Sequence, residues 1–205
     1  MSWIIDPNFG STLYTSEPFS PFPTGGGNKV LSFGSGAVYN TSTTAVNMVV
    51  ECDLVVKNQI TVVGYIHDPM AFLIGRRQSS DGSFYAVGYT QTDIGLGSRR
   101  GQMNIFKYNG TSDTFTHLTE SLILSSDINT PTILQLLKLR LSINDSSIAG
   151  YLLNSSGLVL MQASTTDSQF TSAGTAGIGG HLVVGFGNNV SVPNIFADNW
   201  RAVTN

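Results

Sequence analysis

The stretch KLRLSINDSSIAGYLLNSSGLVLMQA, Lys138 to Ala163, decides the fold. Leu139, Leu141 and Ile143 alternate with Lys138, Arg140 and Ser142, which gives a strand with one apolar and one polar face. Asp145, Ser146 and Ser147 carry turn chemistry, and Ile148 to Leu153 return as a second strand. Asn154-Ser155-Ser156-Gly157 then turn the chain into a third, Leu158 to Ala163. Three consecutive strands of this kind make an antiparallel meander. Just upstream, Pro131 followed by Ile133, Leu134, Gln135, Leu136 and Leu137 also permits a short helix. A helix would set Leu137 and Leu141 on one stripe with Lys138 and Arg140, so the strand reading is preferred.

Working outward, Val46 to Val56 carries apolar residues on both faces, with Val50, Cys52, Leu54 and Val56 opposite Val49, Glu51, Asp53 and Val55. That pattern belongs to a central, sandwiched strand, with Ile60 to Ile66 as its expected hairpin partner. Lys29 to Tyr39, interrupted at Gly34 and Gly36, is a strand ahead of it. Ala71 to Gly75 and Phe84 to Thr90 follow, separated by the turn Ser79-Ser80-Asp81-Gly82. Gln91 to Gly101 reads as a loop. Gln102 to Tyr108 and Thr114 to Leu118 form a hairpin around Asn109-Gly110. About a dozen strands with almost no helix and no internal repeat predict a two-sheet sandwich.

The length of 205 residues suits one all-β domain. Only 11% of residues are charged while 41% are hydrophobic, so the surface is furnished by Ser, Thr, Asn and the 22 Gly. Little charge then keeps copies apart, and self-association is expected. The net charge of −3 and a pI near 5.4 give no general attraction to nucleic acid or anionic membrane, so no nucleic-acid partner is expected. Cys52 is the single cysteine, which excludes an intrachain disulfide and reads as a buried, inert thiol. Met1 to Asp6 hold no basic region and no long apolar run occurs, so neither a secretion signal nor membrane insertion is expected. Asn-x-Ser/Thr sequences at Asn40, Asn109, Asn144, Asn154 and Asn189 read as polar turns. Arg76-Arg77 and Arg99-Arg100 flank opposite ends of one strand and read as solvated loop or interface charges.

Residues 1–27 hold four of the seven prolines and the run Gly25-Gly26-Gly27, a density no sheet interior tolerates. They are expected to form an extended arm or edge covering, anchored on a neighbour or on the body by Trp3, Phe19 and Phe22. Residues 28–205 form the folded domain.

With these residues in place the chain resembles the concanavalin A-like jelly rolls of the laminin-G and lectin/glucanase superfamily. The likeness lies in ordered succession over about 46–203. It runs through the strand Asn47 to Val56, an Arg-ended strand Phe72-Leu73-Ile74-Gly75-Arg76, Ser83 to Tyr89, and the hairpin Met103 to Gly110. It continues through the meander and the stretch Thr166 to Gly179, and closes on Phe196 to Val203. The resemblance implies an all-β, two-sheet antiparallel jelly-roll sandwich.

Glu51 and Asp53 lie on one strand face roughly 6.6 Å apart along the chain. The related laminarinase-type hydrolases carry Glu-x-Asp-x-x-Glu, but the last position here is Val56, so the acid that protonates a leaving group is missing. These carboxylates read as exposed or paired with Lys or Arg, and no catalytic residue is expected. His67, His117 and His181 are isolated, and no metal or cofactor is expected. The resemblance keeps one calcium ion at Asp127, Asp167 or Asp198 as an alternative. Tyr65, Tyr85, Tyr89 and Tyr108 are the candidate ligand-binding residues, as rings on which a sugar stacks along the concave sheet, with core packing as the competing role. The function expected is a non-enzymatic structural or adhesion component of a bacteriophage virion, a head-decoration or tail-fibre type of protein assembled in the host cytoplasm. Its expected partners are other virion subunits or itself, and a cell-surface glycan. A free carbohydrate-binding lectin-like module is the alternative, and a degenerate glycoside hydrolase the third reading.

Overall fold

The computed structural model describes residues 3–5, 13–16, 30–33, 36–56, 70–95, 98–124, 135–181 and 195–204, and these contain strands and turns but no helix. The strands are β1 (Trp3–Ile5), β2 (Leu13–Ser16), β3 (Val30–Phe33), β4 (Gly36–Ala45), β5 (Met48–Val56), β6 (Met70–Arg77) and β7 (Phe84–Gly95). They continue as β8 (Ser98–Asn109), β9 (Thr114–Leu124), β10 (Gln135–Asn144), β11 (Ser147–Asn154), β12 (Val159–Thr166), β13 (Gly174–His181) and β14 (Ile195–Thr204). Two antiparallel sheets result, a front sheet ordered β1-β4-β13-β6-β7-β8-β9 and a back sheet ordered β12-β11-β10-β5-β14-β3-β2.

The meander falls where the alternation put it, as β10, β11 and β12. Asp145 adopts a φ of 51° in the first turn and Gly157 a φ of 86° in the second, where a glycine is at ease. Leu139, Leu141 and Ile143 point inward with Met48, Val50, Cys52 and Leu54 of β5. Against them pack Leu73, Tyr85, Val87, Met103 and Ile105 from the front sheet. Cys52 is buried there, and burial pushes its thiol well above the ordinary range.

Residues 60–66, the expected hairpin partner of β5, lie outside the described residues, and the two edges of β5 are occupied by β10 and by β14. Two expectations change. The expected loop from Gln91 to Gly101 is largely strand: Gln91, Thr92 and Asp93 pair with Gly101, Arg100 and Arg99, so β7 and β8 extend into that stretch. Asn40 is a buried strand residue rather than a turn, whereas Asn109 and Asn154 cap turns by accepting backbone N–H bonds from Thr111, Ser112, Ser156 and Leu158. Within residues 1–27, β1 lies along β4 at the edge of the front sheet and β2 along β3 at the edge of the back sheet.

Arg76 and Arg77 are also not solvated. Arg76 ends β6 in the left-handed region, with a φ of 53°, and its side chain is fully buried. Its guanidinium donates to three backbone carbonyls, Val46 at 2.8 Å, Phe170 at 2.9 Å and Asp145 at 2.7 Å. A planar fork with five donors is the side chain able to serve three carbonyls in different directions, and here it clamps three separate connections at one end of the sandwich. Arg77 lies 4.0 Å from the centroid of the Tyr39 ring. Nearby, Asp81 accepts from Ser83, and Gly110 docks so closely that an added Cβ would stand 1.8 Å from the Asp81 carbonyl oxygen.

Candidate functional site

Strand parity separates the two faces of the front sheet. Tyr85 and Tyr89 point into the core between the sheets, while Phe72, Ile74, Phe84, Ala86, Phe106 and Tyr108 form a second apolar cluster on the opposite, outer face. Phe72, Phe84, Phe106, Tyr108 and Phe115 are linked ring to ring, with centroids 4.9 to 6.3 Å apart. Phe115, at the β9 end of this chain of rings, is 51% exposed.

This placement corrects the expected tyrosine platform. Tyr85 is buried in the core, and its hydroxyl donates to Asp167 Oδ1 at 2.5 Å and accepts from the Phe170 N–H at 3.0 Å. Burial first, and the Asp167 carboxylate second, push its phenol up to about 12. Tyr89 is core, and Tyr108 is buried among the outer-face rings with its hydroxyl donating to Asp113 at 2.9 Å. None of the three offers a ring face to a ligand. Tyr65, Phe19 and Phe22 lie outside the described residues. Trp3 is exposed and meets Trp200 edge to face at 4.7 Å.

What the outer face does present is a polar row beside the rings. β8 and β9 pair Asn104 with Glu120, Phe106 with His117, and Tyr108 with Phe115, with a register shift between Ile105 and Phe106. Because the shift adds one residue to β9, His117 and Glu120 both face outward although they are three apart in sequence. Gln102 Nε2 donates to Glu120 Oε2 at 2.6 Å and to Asn104 Oδ1 at 3.2 Å, and His117 Nε2 lies 3.2 Å from the same Asn104 oxygen. Gly88, opposite Asn104 on β7, adds no side chain. The row therefore offers amide, imidazole and carboxylate groups already fixed by one another, next to an exposed ring. Sequence reading missed it because His117 was weighed only as a metal ligand and the second hairpin strand was ended at Leu118. The signal present was the alternation Gln102, Asn104, Phe106, Tyr108.

The paired carboxylates sit on the outer face of the back sheet. Glu51 is only 3% exposed and accepts from Arg140 Nε at 2.9 Å and from Arg201, with Lys138 Nζ at 3.6 Å. Lys138 also reaches Asp53 at 3.3 Å, and Asn199 Nδ2 donates to the other Asp53 oxygen at 2.9 Å. Burial pushes the Glu51 carboxyl up, but the bonds from Arg140 and Arg201 and the charge of Lys138 together hold it below its ordinary value. Asp167, one calcium candidate, is filled by Lys107 Nζ at 2.5 Å as well as Tyr85, and Asp198 accepts from the Asn199 N–H. Asp127 lies outside the described residues. Among the described residues no group of three or more His, Cys, Asp or Glu stands together as a metal site.

No family model and no curated protein matches this chain. Among solved structures it is similar to the CBM2 module of the evolved Dit of Lactobacillus casei BL23 phage J-1, at 11% identity over 98% of this chain and 87% of that one, with a TM-score of 0.55. A protein of unknown function with galectin-like fold from Bacillus subtilis is similar at 10% identity over 98% and 88%, with a TM-score of 0.46. Sheep galectin-11 in complex with glycerol is similar at 14% identity over 82% and 94%, with a TM-score of 0.38. At these identities the likeness is one of fold alone, an all-β, two-sheet antiparallel jelly-roll sandwich.

Proposed function

We propose that this chain is a non-catalytic glycan-binding module that serves adhesion, carried on a bacteriophage virion and assembled with other virion subunits in the host cytoplasm. The observation that carries the reading is the row Gln102, Asn104, His117 and Glu120 beside the exposed Phe115 ring. A sugar needs donors and acceptors fixed in a plane for its hydroxyls and an apolar face for its C–H side, and the row supplies both in one place. The fold likeness to a CBM2 module of a phage Dit protein supports the setting. The non-catalytic part is supported by the state of Glu51. A glycosidase acid needs a raised pKa so that it holds a proton, and this carboxyl is pulled down by two guanidinium groups.

The test is a glycan panel followed by calorimetry on Asn104→Ala, Glu120→Gln and Phe115→Ala. The wild type is expected to bind weakly, and each substitution to weaken binding about tenfold, or about 1.4 kcal/mol. Melting temperatures should hold, because the three side chains are exposed or half-buried. A wild type that binds no glycan, or three variants that bind as well as it does, overturns the site. Release of reducing ends from any bound glycan overturns the non-catalytic assignment.

A further inference from the structure

We infer that β12 is a pairing edge, across which a second copy of this chain adds its own β12 antiparallel and continues the back sheet through a twofold axis. Among the described residues β12 is the terminal strand of that sheet, bonded on one side to β11. The Asp167 N–H donates to the Ser146 carbonyl, in register with the Ser147–Thr166 and Ile148–Thr165 pairs, and this fixes the phase of the ladder. Alternate residues then exchange bonds with β11, while Gln162, Ser164 and Thr166 aim their N–H and C=O groups off the sheet.

Free edges normally carry a Lys, a Pro or a bulge that blocks addition of another strand. β12 reads VLMQASTT, with no charge and no proline, and its register shift lies at the hairpin end, leaving Met161 to Thr166 regular. The other edges differ. β9 carries His117 and Glu120 and a register shift in mid-strand, and β1 and β2 are three and four residues long. Leu158 and Val159, where β12 begins, are 63% and 44% exposed.

The second copy is the occupant that fits because the edge is its own complement. With Ser164 facing Ser164 of the other copy, Gln162 meets Thr166 on both sides, no charges oppose, and about six backbone hydrogen bonds form. A twofold axis relating edge-paired antiparallel strands stands normal to the sheet. The outer faces of both front sheets therefore point the same way, and two polar rows address one surface, where bivalency multiplies weak binding.

Sedimentation of the wild type and of Ser164→Pro and Ser164→Lys, without glycan, reads this separately from the glycan reading. Proline removes an N–H that points away from β11, so the internal ladder survives. Lysine keeps the backbone and sets like charges against each other. The wild type is expected to dimerise within about 1 to 200 µM, and both variants to lose the dimer at least tenfold in affinity with unchanged melting. Should the proline variant not fold, the lysine variant decides. A wild type that stays monomeric throughout, or a dimer that persists in Ser164→Lys, overturns the inference.

Discussion

Replacing Arg76 with Met tests what holds one end of the sandwich. The substitution keeps much of the buried volume and removes all three donors to Val46, Phe170 and Asp145. The bond to Phe170 is buried, so its carbonyl loses its partner at a cost of about 1 to 3 kcal/mol. The other two bonds are part-buried, and water recovers some of each. Removing the cation also relieves the cost of desolvating it, the same burial that lowers its pKa. Taken together, about 2 to 4 kcal/mol should be lost, a large fraction of the roughly 5 to 15 kcal/mol typical of a domain. For a chain of this size that is a fall of about 4 to 16 °C in melting temperature. Urea and thermal melts measure it. Arg76→Lys, a single point charge unable to fork, should recover only part of the loss. An Arg76→Met protein within about 1 kcal/mol of wild type would refute the clamp.

Two further substitutions read out titration. Glu51 lies below its ordinary value of 4.5 in the folded protein, so its contribution is fully present above pH 4.5 and disappears as pH falls through the lower folded value. Glu51→Gln should cost about 2 kcal/mol at neutral pH, with the gap to wild type closing in acid; urea melts giving a pH-independent gap would contradict the ion cluster. Tyr85 is raised to about 12, so its contribution holds below the ordinary value of 10 and is lost as pH climbs through about 12. Tyr85→Phe should cost about 1 to 2 kcal/mol at neutral pH and remove a tyrosine that titrates at about 12 from an ultraviolet difference titration; a titration identical to wild type would refute it.

The meander was legible because Leu139, Leu141 and Ile143 alternate with polar residues, a pattern compatible with one face only. Glu51 and Asp53 were legible as partners of Lys or Arg, which the structure supplies from β10 and β14. The tyrosines were not, because β7 is apolar at both parities: Tyr85, Val87 and Tyr89 alternate with Phe84, Ala86 and Gly88, so the pattern cannot say which set faces the other sheet. Arg76 was misread because an arginine at a strand end is ordinarily wet. Its partners are carbonyls at Val46, Asp145 and Phe170, which no side-chain pattern marks. The run Gln91 to Gly101 lacks apolar alternation, and it is held as strand by pairing rather than by burial pattern.

The register shift in β9 makes the exposed face tolerant of a change in length. Leu118 is the residue without a counterpart on β8, and as the bulge it lets His117 and Glu120 share a side while three apart in sequence. Deleting it would leave His117 and Glu120 two residues apart, opposite Phe106 and Asn104 as before, so ordinary strand alternation would keep both outward while the local bulge disappears. On an edge strand such a deletion disturbs only one neighbour. What distinguishes the outward face is therefore the identity of Gln102, Asn104, His117 and Glu120 and not the count of residues in β9.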